Sequence, residues 1–242
     1  LGWSDEEIES LPERVAAGEY TFEDMLQTAE QAIEEGVVEE GNGYWHRTGN
    51  GFDWLMPYFA SGGEILGEDG KLVWDSEALL EVYQVHADIQ ARGVTRPDMI
   101  GLSGGEVWHP AVASAEEVLF AQGGIWNWAD WAKNYVADQG GNDYLLENIG
   151  LILYPAMSAE TPVTVTHPLS YMISSSTENP DVAMALLAAI TTPEANNRHA
   201  IDSFHLGILN AQVESEEYLN DPVLSTAHYM LDYTRVAPNH PD

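Results

Sequence analysis

An α/β fold follows from three observations in the sequence. Helix-start signals recur along the chain, short apolar runs lie between them, and hydrophobic residues make up 45% of the total, enough for packed cores. Thr21 and Asp24 form a capping box, after which Phe22, Met25, Leu26, Ala29 and Ile33 share one helical face and Gly36 ends the helix. An aromatic- and glycine-rich stretch from Gly41 to Gly63 follows, and Gly67–Gly70 reads as a turn. Asp75 or Ser76 caps a second helix with Leu79, Val82, Tyr83, His86 and Ile89 turned inward and Gly93 at its end. Ser114 and Glu117 have capping-box spacing ahead of Val118, Leu119 and Phe120, so a helix broken by Gly123-Gly124 is expected. Ile125 to Trp128 then reads as a short strand, and Ile149 to Tyr154 as a buried strand stopped by Pro155. Val163–Val165 and Tyr171–Ile173 are further strand candidates. Asn179-Pro180 starts a helix whose run Val182 to Ile190 is apolar nearly all round, which predicts deep burial. Thr192-Pro193 and Asp221-Pro222 start two more, the last aligning Leu224, Ala227 and Leu231.

The charge balance narrows the function. Lys plus Arg is 8 against 40 Asp plus Glu, a net charge of −32, and only Lys71 and Lys133 are lysines. Self-repulsion at this density destabilises a compact chain in dilute buffer. Molar salt shortens the Debye length to about 3 Å and relieves it. The acids are dispersed rather than gathered in a tail, so the composition predicts the surface of a halophile's protein. No basic patch exists to neutralise phosphates, which excludes nucleic acid as a partner. With no cysteine, disulfides, thiolate chemistry and zinc–sulfur sites are ruled out. The eight His are scattered, and no calcium-loop motif occurs, so neither a metal nor another cofactor is expected. There is no nucleophile elbow, P-loop or dinucleotide fingerprint; Gly101–Gly105 lacks the lysine a phosphate loop needs.

Four segments, in order, carry a family resemblance. Tyr20–Met25 is similar to a Thr–aromatic–acid helix opening. Trp54–Ile65 with Gly62-Gly63, Gly70 and Asp75–Ala78 resembles a Gly-Gly…Gly…Asp-Ser-Glu-Ala passage. Glu116–Ile125, ending at Trp131, resembles a Phe…Gly…Gly…Trp signature, although Gly124 and Ile125 replace the usual Ala-Met and Ala129 the usual Gly. Ile149–Pro155, Leu169–Ile173 and Asn179–Ala183 resemble a Pro…Ile…Ser…Asn return segment. Together they resemble the solute-binding proteins of ABC transporters that include the maltose-binding type. The resemblance implies a periplasmic-binding-protein-like α/β fold of type II. It places residues 1–165 in the C-terminal lobe, returns 166–205 to the N-terminal lobe and brings 206–242 back. Most of an N-terminal lobe would then be missing, and the helix from Val182 to Ile190 would need cover from it. The resemblance further implies a monomeric, extracellular, non-enzymatic protein, anchored at the cell surface through a segment upstream. Its partners would be a small solute and a membrane permease. The opening Leu1–Glu6 has no signal-peptide character, so an export signal is expected outside this chain.

Sugars present apolar faces and hydroxyl rims, so their sites combine flat aromatics with planar polar groups. Eight Trp and 11 Tyr are available. By resemblance Trp131 stacks on ligand, with Trp128 the close alternative. On the expected strand Trp126 and Trp128 share a face and Asn127 points to the other, where it hydrogen-bonds. Core packing is the competing role for these tryptophans. The stretch Tyr44–Trp54 supplies Trp45, Asn50, Phe52 and Asp53 as ligand contacts on a loop whose glycines permit close backbone approach; an ordinary surface loop is the alternative. Thr166–Tyr171 adds His167 and Tyr171, and His205–Asn210 is a weaker patch. The rival function is a carbohydrate-active enzyme with an Asp/Glu pair about 5–9 Å apart. Binding of a non-sugar solute, or a surface-layer fragment, are further alternatives.

Overall fold

The computed structural model describes residues 1–49, 51–166 and 170–237, with the Phe52 side chain outside that description. It is a helix-rich α/β structure. Among the described residues the strands form two separate two-stranded parallel ladders: β1 (Tyr44–Trp45) beside β2 (Phe120–Ala121), and β3 (Thr164–Thr166) beside β4 (Thr234–Val236). Tyr44 stands opposite Phe120 and Trp45 opposite Ala121, while Thr164, Val165 and Thr166 face Thr234, Arg235 and Val236.

The helix Phe22–Glu34 starts where its capping box dictates: the Thr21 hydroxyl accepts from Asp24 N, and the Asp24 carboxylate accepts from Thr21 N. Its apolar face delivers Phe22, Met25, Leu26 and Ala29 to a core shared with Val15, Tyr20, Tyr44, Ile89, Leu153 and Met230. Burying each large side chain there contributes about 1.5–3 kcal/mol. Asp75 caps the helix Ser76–Ala91 by accepting from Glu77 N and Ala78 N. Ala78, Val82 and Ile89 point inward; Tyr83, expected inside, is 63% exposed, because it stands one position, about 100°, off that stripe. Thr192 and Asp221 cap the helices Pro193–Ser203 and Pro222–Ala227 as expected.

Four local expectations fail, each to a tertiary constraint. Ser114 closes the short helix His109–Ala113 instead of opening one. Its hydroxyl accepts from Glu116 N, and Ala115 takes a left-handed φ of 54°. The residues that follow are extended because β1 captures them: Leu119 N, Phe120 N and Gln122 N donate to the carbonyls of Asn42, Gly43 and Trp45. Ile125–Trp128 is no strand. Trp126 precedes the helix Asn127–Asp130, which continues as the wider turn Trp131–Tyr135. The Trp126 ring folds back over Gly124, where an added Cβ would lie 2.2 Å from it, so only glycine fits. Ile149–Tyr154 buries Leu153 but pairs only through one antiparallel bridge from Tyr154 to Val163, and Tyr171–Ile173 is coil. With no neighbouring strand in register, neither run forms a ladder.

The largest departure is the helix Pro180–Ile190, in which no residue is buried. Val182, Met184 and Leu186 are 68%, 59% and 61% exposed. The sequence makes a helix apolar enough for a core, and the described chain offers no surface to cover it.

Candidate functional site

Two stretches singled out by sequence, 44–54 and 126–131, meet through a third that was not. The Trp108 indole N–H donates to the His46 carbonyl at 3.2 Å, fixing Trp108 beneath the loop that follows β1. The Arg47 guanidinium lies 4.4 Å over the Trp108 ring, a cation–π contact. Trp131 packs against Trp108 with ring centroids 5.9 Å apart. Its indole N–H donates to His109 Nδ1 at 2.9 Å, and His109 stacks on Tyr135. Because Nδ1 accepts, the neutral ring carries its proton on Nε2. Burial and the nearby Arg47 push the His109 pKa down, against an opposing pull from Asp130.

The loop after β1 is held at both ends. Tyr44 Oη donates to Gln122 Oε1, whose amide N–H donates to the Asp53 carbonyl at 2.7 Å. Beyond it Trp54 lies on His86, centroids 4.1 Å apart, and His86 meets His46 edge-on at 5.4 Å. Burial, with a smaller push from His46, drives the His86 pKa from 6.5 to about 4. His46 is lowered by the same burial, partly offset by its bond to the Arg47 carbonyl. All three imidazoles are therefore neutral at pH 7.

Arg47 and Asp53 face each other loosely: Nε to Oδ2 is 3.9 Å, outside hydrogen-bond range. Arg47 Nη1 and Asp53 Oδ1 are both buried without a hydrogen-bond partner.

The remaining expected residues divide. Trp45 and Trp128 lie in the same core as Trp108 and Trp131, their faces covered by protein; Trp128 donates to Asn142 Oδ1 and Trp45 to the Gly41 carbonyl. Asn127 is buried and its amide donates to the Gly124 carbonyl. Trp126 is half-buried and turns away from this cluster, stacked at 17° on His205, which in turn stacks on His199. Tyr171 is exposed on the segment between β3 and the helix Pro180–Ile190. Asn50, His167 and the Phe52 side chain lie outside the described residues. Trp108 and His109 went unnoticed in the sequence; the signal available was a Trp-His-Pro run directly after the glycine-rich Gly101–Gly105.

Two concavities lie elsewhere. Open grooves of about 700 and 220 Å³ run beside the helix Pro193–Ser203, with Glu194, Asp202, Glu216, Glu217 and Asp221 among their lining residues. None of the aromatic residues above lines them. Among the described residues no three His, Asp or Glu gather as a metal site. Among the described residues the carboxyl groups displaced from their usual range are Glu7, Glu23, Asp24, Glu35, Asp69 and Asp98. All are displaced downward, chiefly by hydrogen bonds.

Residues 13–226 match the family of bacterial extracellular solute-binding proteins. No curated protein matches the sequence significantly. Among the solved structures that share the fold, three are similar over most of this chain. Maltose-bound MalE3 of T. maritima superposes with a TM-score of 0.68 at 15% identity, over 91% of this chain and 56% of that one. The GacH receptor of Streptomyces glaucescens GLA.O, described unliganded and with acarbose, gives 0.71 at 17% identity, over 94% and 56%. The cyclic α-maltosyl-1,6-maltose binding protein of Arthrobacter globiformis gives 0.61 at 17%, over 95% and 58%. The fold is thus that of the type II periplasmic binding proteins, and the chain spans a little over half the length of these structures.

Proposed function

This chain belongs to the family of bacterial extracellular solute-binding proteins, and from that membership we propose that it forms one wall of an interlobe cleft that captures a sugar or oligosaccharide for an ABC-type permease. The observation that carries the sugar assignment is the junction of Trp108, Trp131 and His109 with Arg47 and Asp53. Aromatic rings there adjoin a donor and an acceptor held by a glycine-containing loop. The proteins of similar fold named above were described with maltose or acarbose, or named for a cyclic maltosyl-maltose. The sugar stacks on the Trp131 side of the junction, with Asn50 and Phe52 as outer contacts and His167 and Tyr171 on the return toward the other lobe; Asn127, bonded to the Gly124 carbonyl, and Trp126, stacked on His205, stand outside this site.

Residues 1–165 and 206–242 make the C-terminal lobe, and 166–205 cross to the N-terminal one. The bare apolar face of the helix Pro180–Ile190 supports this division, since a helix of that composition needs a partner layer. Closure of the two lobes around the solute then presents a docking surface to the permease. No covalent step is involved, and no cofactor. The acids with displaced pKa lie at helix caps and surface ion pairs rather than beside Trp131, which favours a binder over a glycosidase. The protein works as an anchored extracellular monomer, and its charge of −32 suits molar salt.

Titration calorimetry of the full-length protein tests the assignment. Neutral mono- and oligosaccharides, a peptide and a polyamine form the panel, in molar salt. Heat with at least one saccharide is expected. Heat only with the peptide or the polyamine overturns the carbohydrate assignment.

A further inference from the structure

We propose that Arg47 and Asp53 set the specificity of this site, selecting a neutral hydroxylated ligand over one that carries an acid or an amine at the same position. The inference rests on the sugar-binding assignment above. Of six arginines, Arg92, Arg96, Arg198 and Arg235 sit in surface ion pairs or hydrogen bonds with carboxylates at 2.6–3.4 Å. Arg14 lies over the Tyr20 ring. Arg47 and Arg96 both lie over buried tryptophans, Trp108 and Trp45, but among the described residues Arg47 is the arginine with a buried nitrogen, Nη1, that has no acceptor. Its neighbour Asp53 has the complementary defect: Oδ1 is buried and nothing donates to it. At 3.9 Å the two residues do not satisfy each other.

These two vacancies are chemically opposite. A guanidinium only donates, and a carboxylate only accepts. A group that serves both must donate and accept, as an alcohol does. A ligand carboxylate would suit Arg47 but meet Asp53 with like charge. A ligand ammonium would suit Asp53 but meet Arg47 in the same way. Both side chains reach the surface, at 27% and 16% exposure, on the loop that follows β1.

Calorimetry in molar salt compares glucose, galactose and mannose, each with its uronate and its 2-amino sugar, on the full-length protein and the variants Arg47→Gln, Arg47→Lys and Asp53→Asn. Circular dichroism and the urea midpoint establish that each variant is folded. The expected result is at least one neutral sugar bound tenfold or more tighter than both charged counterparts. Arg47→Gln and Asp53→Asn each weaken the neutral sugar at least tenfold, and Arg47→Lys weakens it less. Asp53→Asn should also narrow the gap to the uronate and Arg47→Gln the gap to the amine, a reciprocal relaxation that a purely structural role does not produce. A neutral sugar that binds all variants alike, or a charged analogue that binds the wild type equally well, overturns the inference and leaves the sugar assignment standing. No binding of any of the nine compounds, with no oligosaccharide of the panel above bound either, overturns both.

Discussion

His86 makes the stability of this protein depend on pH in a way that can be worked out from its surroundings. Its ring is sandwiched against Trp54 at 4.1 Å and faces His46 at 5.4 Å, and its Nε2 is buried without a partner. Above pH 6.5 the imidazole is uncharged in folded and unfolded chains alike. Below it, the unfolded chain takes up a proton that the folded chain refuses until about pH 4, so stability falls across that window. A displacement from 6.5 to about 4, at 1.36 kcal/mol per unit, amounts to about 3 kcal/mol. The perturbation is His86→Phe, which keeps a flat ring against Trp54 and removes both the titration and the unpartnered nitrogen. His86→Gln serves as a second, smaller replacement. Urea unfolding in 2–3 M salt, where carboxylate repulsion is screened, is followed by circular dichroism at pH 7.5, 6, 5 and 4. At pH 7.5 the Phe variant should lie within about 1 kcal/mol of the wild type, and by pH 4 it should be more stable by about 3 kcal/mol. A difference between wild type and variant that stays constant from pH 7.5 to 4 would refute the reasoning.

Gly124→Ala places a methyl 2.2 Å from the Trp126 ring; expelling the indole should cost about 1–3 kcal/mol and change the tryptophan emission, read by urea unfolding and fluorescence together. Leu186→Glu, on the bare face of the helix Pro180–Ile190, should leave the stability of this chain within about 0.5 kcal/mol while reducing dye binding to exposed apolar surface, whereas a loss of several kcal/mol would mean that the face is covered. Lowering sodium chloride from molar to millimolar should bring down the urea midpoint, because 40 acids face only 8 basic side chains; an unchanged midpoint would remove the argument for a salt-adapted surface.

What the sequence revealed was local. Thr21, Asp75, Thr192 and Asp221 announced helices because a side-chain cap needs only its next three residues. Ser114 and Glu117 have the same spacing and failed, because β1, some seventy positions away, claimed Phe120 for a ladder. The alternation Ile125-Trp126-Asn127-Trp128 looked like a strand, yet the Trp126 ring closed on Gly124 and left a helical turn that sets Asn127, Trp128 and Trp131 on one buried face. The apolar run from Val182 to Ile190 was visible, but its exposure was not, since burial depends on what lies opposite rather than on the helix. The site shows the same division. Composition pointed to Trp131 and to the stretch around Asp53, while the Trp108–His46 bond that joins them spans 62 positions and left no periodic trace.

The ladder of β3 with β4 has a consequence for synthesis. Among the described residues the strand partner of Thr164–Thr166 is Thr234–Val236, about 70 residues further along. At translation rates of about 5–20 residues per second, β3 leaves the ribosome several seconds before its partner exists. During that interval Val163 and Val165, both buried in the finished structure, are available to any passing strand edge. The Tyr233 hydroxyl likewise donates to the Ala16 carbonyl, 217 positions back. A chaperone that holds the nascent chain through that delay, or an export route that moves it unfolded, would serve this topology better than folding as the chain emerges.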